Sequence, residues 1–182
     1  SWALMITIEF ISTQIVENGK IIDTYSVDML EKIDPQIIQF LRTMPVVVGV
    51  GIKADVTTTE WFYSLVSGLD VKLRGYIDIG TLAVLTGWGL KGTNMPILNA
   101  VTLGSILNKV VSQGDSTWGL KWSNIADELK VYALGDIKMG FLVYNVLISI
   151  LLRDMFPDQE IICFLTNTDQ PTFCSWFMEW IG

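Results

Sequence analysis

A tyrosine and an aspartate stand four residues apart in the stretch Val131-Tyr-Ala-Leu-Gly-Asp136, shortly before an apolar run from Met139 to Leu152. Helical periodicity places Tyr132 and Asp136 on one face of a helix. The run that follows is apolar almost all round, which predicts a buried helix. A carboxylate is a hard oxygen ligand for Mg²⁺ or Mn²⁺, and a phenol can orient a water molecule. The pair therefore favours a metal site, although two ordinary surface residues at a helix start have the same spacing.

A second candidate carboxylate, Asp55, ends the stretch Val46-Val-Val-Gly-Val-Gly-Ile-Lys-Ala-Asp55, whose continuous β-branched run predicts a buried strand. In this order the two stretches resemble the motifs of RNase D and Werner-type 3′–5′ exonuclease domains, the tyrosine branch of the DEDD exonucleases. The Asp55 stretch is similar to the second motif of that family, and Tyr132 to Asp136 to the third. Asp78 falls where the family often has a structural aspartate. The resemblance covers residues 46 to 152.

This resemblance implies a fold and a chemistry. The fold is the α/β (α+β), ribonuclease-H-like one, a mixed β-sheet flanked by helices. The implied catalytic residues are Asp55, Tyr132 and Asp136, with both aspartates as ligands of Mg²⁺ or Mn²⁺. The implied substrate is the 3′ end of an RNA or DNA strand. The first motif of the family, Asp-x-Glu, belongs on the central strand, where its aspartate bridges two metal ions.

The first motif has two imperfect candidates. Thr7-Ile8-Glu9 has threonine where the aspartate belongs, and its surroundings look more like the second strand of the family. Phe173-Cys-Ser-Trp-Phe-Met-Glu-Trp180 ends much as the first strand of the family does, with Glu179 at the glutamate position and Phe177 at the aspartate position. The second candidate predicts a circularly permuted or swapped chain with Phe173–Trp180 as the central strand. An apolar tail that packs on the surface or on a partner is the alternative.

Both candidates lack the bridging aspartate, and this absence decides the functional hypothesis. Two-metal hydrolysis needs several carboxylates that converge on both ions. Asp55, Asp136 and one glutamate, Glu179 or Glu9, would hold a metal ion weakly. We therefore expect an inactive or impaired exonuclease domain that binds a protein partner or a second copy, and secondarily nucleic acid. The alternatives are a working Mg²⁺- or Mn²⁺-dependent exonuclease and an unrelated α/β scaffold with chance motif matches.

Composition narrows the classes of function and of location that the chain can have. The 182 residues predict one domain, residues 1–182, and 51% of them are hydrophobic, which indicates apolar surface for a partner. A net charge of −7 argues against strong binding to a phosphate backbone, and the absence of histidine excludes His-ligated zinc and Ser-His-Asp triads. Cys163 and Cys174 look like buried free thiols, and no signal peptide is evident, so we expect an intracellular protein of the cytoplasm or nucleus. Met139–Leu152 is too short to span a bilayer, so we expect no membrane.

The elements that position these residues follow from local signals. Asn18-Gly19 between apolar flanks predicts a hairpin, Asp34-Pro35 predicts a helix start, and Gly68 predicts a helix end. The expected elements, in chain order, are strands near 3–16 and 20–27, a helix after Asp34, a strand over Val46–Val50, a helix ending at Gly68, a strand over Arg74–Ile79, a helix over Gly80–Leu85, a loop over Gly87–Asn99, a helix over Thr102–Val111 and a loop over Gln113–Lys121.

Overall fold

A computed structural model of the chain describes residues 2–4, 10–17, 20–28, 35–43, 46–106, 124–168 and 170–181. The fold mixes helices with short strands, so the α+β class is confirmed. The elements are β1 Trp2–Leu4, β2 Phe10–Glu17, β3 Lys20–Asp28, α1 Pro35–Thr43, β4 Val47–Gly49, α2 Lys53–Ser67, β5 Tyr76–Asp78, α3 Ile79–Leu85, α4 Met95–Leu103, α5 Asp127–Ile150, α6 Gln159–Thr166 and α7 Pro171–Ile181. Helix α5 continues into a π-helical turn, Leu151–Met155.

The N-terminal strands form an antiparallel sheet in the order β1-β2-β3. The predicted hairpin is confirmed, because β2 and β3 pair from Phe10 with Asp28 to Glu17 with Lys20. The single strand expected near 3–16 is wrong: β1 and β2 are separate and antiparallel, with Trp2 opposite Thr13. A continuous apolar alternation does not show where one strand ends and the next begins, because it contains no information on which strands pair.

Strands β4 and β5 form a second, parallel pair, with Val48 opposite Ile77. Both residues are buried, as the β-branched runs predict. Parallel neighbours require a long crossover, and α2 supplies it. Gly68 ends α2 in the left-handed conformation with φ of 69°, which glycine adopts without steric strain and which confirms the predicted stop.

Helix α5 runs through the larger of the two hydrophobic clusters that the described residues form, and it packs against α3, α4 and β4. It begins at Asp127, well before the apolar run, so Tyr132 lies in its second turn rather than at its start. Among the described residues, Asp127–Met155 is the one helical stretch long and apolar enough to cross a membrane, with a mean hydropathy of 1.6. The argument that Met139–Leu152 is too short to span a bilayer therefore fails, because the helical stretch is longer than this apolar run. Since 44% of that apolar window is buried inside the fold, the stretch also suits a core helix, and this is compatible with the absence of a membrane.

The prediction that Phe173–Trp180 forms a central strand is wrong, because these residues lie in helix α7. Pro171 opens this helix, and Phe173 and Phe177 recur one helical turn apart on its buried face. A short apolar run bounded by polar residues does not distinguish a buried strand from a buried helix. Glu179 therefore does not lie on a strand beside β4. The prediction of a circularly permuted or swapped chain with a central strand from this segment is wrong.

The interpretation of Cys163 and Cys174 as free thiols is also wrong. The two residues form a disulfide that joins α6 to α7. Two isolated cysteines in a sequence carry no signal for pairing, because pairing depends on how the two helices approach each other. The intracellular location loses the support of free thiols and stays a prediction.

Two further boundaries differ from expectation around α4. The loop expected over Gly87–Asn99 gives way to a helix at Met95, capped by the Asn94 side chain, which accepts a hydrogen bond from the Ile97 amide at 3.2 Å. A helix start at Thr102 is wrong, because α4 ends at Leu103 and Gly104 caps it with φ of 66°.

Some predictions lie outside the described residues. They concern Thr7, Glu9, residues 107–111 of the expected helix and the expected loop over Gln113–Lys121.

Candidate functional site

Asp55 lies in the first turn of α2, three residues beyond Ile52, where β4 has already ended. The chain leaves the strand early because Gly51 adopts φ of 65°, so the aspartate follows a turn instead of ending the strand. Its side chain is half-buried, and this burial raises the pKa of its carboxyl from 3.8 to about 6. The hydroxyl of Thr59 donates to the Asp55 main-chain oxygen at 2.7 Å and so tightens this first turn. Asp55 is therefore a carboxylate partly withdrawn from water, at the carboxyl end of a parallel strand.

Tyr132 and Asp136 lie on α5, one helical turn apart, as predicted. Both side chains are partly buried, and one carboxylate oxygen of Asp136 lies out of reach of solvent. Further along the helix, Gly140 allows close approach, because a Cβ there would lie 3.1 Å from the Met95 methyl carbon. A rigid core helix therefore holds the phenol and the carboxylate.

The elements that carry these side chains are connected through β4. Helix α5 packs against β4, and β4 leads through a short turn into the first turn of α2. The structure thus brings the strand before Asp55 next to the helix of Tyr132 and Asp136. The convergence of the three side chains on one metal coordination sphere stays a prediction.

Asp78 ends β5 and caps α3. One carboxylate oxygen accepts a hydrogen bond from the Gly80 amide at 2.8 Å, while the backbone of Asp78 is extended. This is the ordinary geometry of an N-cap aspartate, so the local geometry gives Asp78 a structural role. The role agrees with the structural aspartate that the resemblance implied.

A cavity of about 380 Å³ opens at the carboxyl ends of β4 and β5. Its walls include Asp78 and Thr81 on one side and the turn 91–94 on the other. Lys91 and Asp78 bring opposite charges to these walls, so the cavity offers no excess of positive charge to a phosphate. This cavity is not predicted from the sequence because a glycine- and proline-bearing loop is assigned to Gly87–Asn99, although Asn94 followed by Pro96 is a helix-start signal.

The C-terminal candidates do not join this region. Glu179 is exposed on α7, and Phe177 is completely buried in the core. Helix α7 packs chiefly against α6, and the strand that was to carry Glu179 to the centre of the sheet does not form. Glu179 therefore leaves the candidate site.

The resemblance implies a pair of divalent metal ions held by converging carboxylates. Within residues 35–43, 46–106, 124–168 and 170–181, no group of three or more His, Cys, Asp or Glu side chains could hold a metal ion. Asp55 and Asp136 supply two carboxylates at most, and a pair of divalent ions requires more. The described donors do not fit a two-metal centre, and we derive no catalytic step from one.

Family models, curated proteins and solved structures were each compared with the chain, and none matches it. The likeness to exonucleases therefore rests on the order of the motifs in the sequence.

Proposed function

We propose that the chain is an exonuclease-like domain of the ribonuclease-H-like fold, catalytically inactive or impaired, that acts as a protein-interaction module and secondarily binds nucleic acid. One observation carries the proposal. Helix α5, which carries Asp136, packs against β4, and β4 leads into the first turn of α2 with Asp55, while no group of three or more His, Cys, Asp or Glu side chains among the described residues could hold a metal ion. A site with this deficit retains the scaffold of a nuclease without the charge needed to bridge two ions.

The finer fold assignment is supported by the order of elements. An antiparallel hairpin comes first, a parallel pair joined by a helical crossover follows, and a long core helix packs on the parallel pair. The resemblance implies the same succession of hairpin, second motif and third motif.

A working Mg²⁺- or Mn²⁺-dependent exonuclease is the second candidate. Asp55 and Asp136 favour it, because both are partly withdrawn from water, where a carboxylate binds a cation more strongly than on the open surface. Glu9 would then have to complete the site in the absence of the bridging aspartate.

The interaction role is supported by apolar side chains on the surface. Trp61 and Leu65 lie one turn apart on α2 and are 57% and 66% exposed. Tryptophan is enriched in protein interfaces relative to the rest of the surface, so this pair favours a contact surface. We propose a protein partner or a second copy of the chain as the occupant of this face.

The test of catalysis uses 3′-end shortening of single-stranded RNA and DNA oligonucleotides by the purified chain in Mg²⁺ or Mn²⁺. We expect no shortening, and equal results for the wild type and Asp136→Asn. The matched control is Asp154→Asn, which removes an exposed carboxylate from the π-helical turn beyond α5. Metal-dependent shortening that Asp136→Asn abolishes and Asp154→Asn preserves would establish the second candidate instead.

A further inference from the structure

The C-terminal helices form a hairpin closed by the disulfide between Cys163 and Cys174. Helix α7 packs chiefly against α6, and α6 packs against β5. Cys174 is completely buried, whereas Cys163 is partly exposed on α6. The covalent bond thus lies across the contact that attaches α7 to the rest of the protein, and one of its sulfur-bearing residues is within reach of solvent.

The hairpin covers apolar surface on β5. Gly75, just before the strand, leaves room for the Phe173 ring, since a Cβ there would lie 3.1 Å from a ring carbon. The Asn167 side chain donates to the Tyr76 main-chain oxygen at 3.1 Å and fixes the turn between the two helices. Phe173 and Phe177 belong to the same buried cluster as Ile77 of β5. Separation of α7 from α6 would therefore bring the two phenylalanines and their apolar contact surface into water.

We propose that this disulfide is a redox-sensitive latch that holds α7 in place when oxidised and lets it separate from α6 when reduced. The partial exposure of Cys163 motivates a latch instead of a permanent staple, because thiol–disulfide exchange requires access of a thiolate to one of the two sulfur atoms and exposed disulfides are the labile ones. The uncovered surface on α6 and β5 is apolar, so the reduced form presents a second face for association.

The reductant is a small thiol of the glutathione or dithiol class. Its thiolate attacks the sulfur of Cys163, and the Cys174 sulfur leaves as a thiolate that takes up a proton. A second thiol then releases Cys163 from the mixed disulfide, so that two reductant thiols become one disulfide and the protein gains two thiols. Closing a loop of this length stabilises the folded hairpin by about 100-fold in its opening equilibrium, and reduction removes that factor.

The test measures amide hydrogen exchange by mass spectrometry on the full chain, with and without dithiothreitol. We expect exchange in residues 172–181 to become about 100-fold faster on reduction, while peptides from α5 keep their protection. The Cys163→Ala, Cys174→Ala double variant should match the reduced wild type and should not respond to dithiothreitol. If that variant does not fold, reduced wild type alone provides the comparison.

Three results would overturn the latch. Unchanged exchange in residues 172–181 would show that packing alone holds α7. Equal acceleration in α5 would show that reduction unfolds the whole domain. Thiol titration that finds two free cysteines in protein purified without reductant would show that the bond does not form. None of these readouts depends on nuclease activity, so the latch and the proposed function can fail separately.

Discussion

At the scale of single residues, Asp55 opposes folding at neutral pH. Its carboxyl has a pKa of about 6 in the folded chain, against 3.8 for an aspartate fully exposed to water. The folded state therefore binds more protons between pH 4 and 6, and linkage makes stability fall as pH rises through this window. Because the side chain is only half-buried, water screens the effect. We expect the ionised carboxylate to lower the free energy of unfolding at pH 7 by about 1 kcal/mol.

The first prediction follows from this fall in stability with rising pH. Asp55→Asn should raise the free energy of unfolding by about 1 kcal/mol at pH 7 and by almost nothing at pH 4. Thermal melts in a chelator at pH 4, 5, 6 and 7 measure the difference. Asp70→Asn, at an exposed aspartate after α2, is the control and should show no such trend. A difference that does not grow between pH 4 and 7 would contradict the burial of Asp55.

The second prediction concerns Asp78, whose carboxylate caps α3. Asp78→Ala removes the acceptor for the Gly80 amide and should lower the free energy of unfolding by about 1 kcal/mol. Asp78→Asn keeps a side-chain oxygen in the same place and should retain most of that stability. Urea denaturation with both variants checks this, and equal losses would mean that Asp78 acts through its charge and not as a cap.

At the scale of elements, the sequence predicts best where one local signal suffices. The β-branched run over Val46–Val50 and the stop at Gly68 depend on neighbours in the chain, and the structure has both. Helix α7 and the disulfide depend on what lies across space, which no local pattern records. The same holds for the site: the spacing of Tyr132 and Asp136 fixes their shared helix face, whereas their distance from Asp55 depends on packing between elements.

The third prediction tests the helical assignment of the C-terminal segment. Phe177→Ala should lower the free energy of unfolding by about 3–5 kcal/mol, because a completely buried ring leaves a cavity. Glu179→Gln, two residues further along on the exposed face, should leave stability within about 0.5 kcal/mol of the wild type. Denaturant melts of both variants give the comparison. Similar losses from the two substitutions would contradict the orientation of α7.

At the scale of the whole molecule, two properties oppose each other in association. The chain carries a net charge of −7, so two copies repel at low ionic strength. The exposed apolar pair Trp61 and Leu65 on α2 favours contact between copies, and burial of apolar surface is insensitive to this charge. Salt limits the range of this repulsion to about 10 Å at 0.1 M and to about 3 Å at 1 M. The balance between the two terms should therefore shift towards association as salt increases.

The last prediction is that the chain dimerises through the α2 face, and more tightly in 0.5 M than in 0.05 M sodium chloride. Sedimentation equilibrium over a range of protein concentrations measures the dissociation constant at each salt concentration. The Trp61→Ser, Leu65→Ser double variant should weaken the dimer at least about 10-fold, since both side chains would lie in the contact. Leu90→Ser removes a leucine that is 82% exposed between α3 and α4 and should have no effect. A wild type that stays monomeric in high salt would rule out the homodimer and leave a different protein as the occupant of this face, whereas a dimer that only Leu90→Ser weakens would place the contact at the segment between α3 and α4.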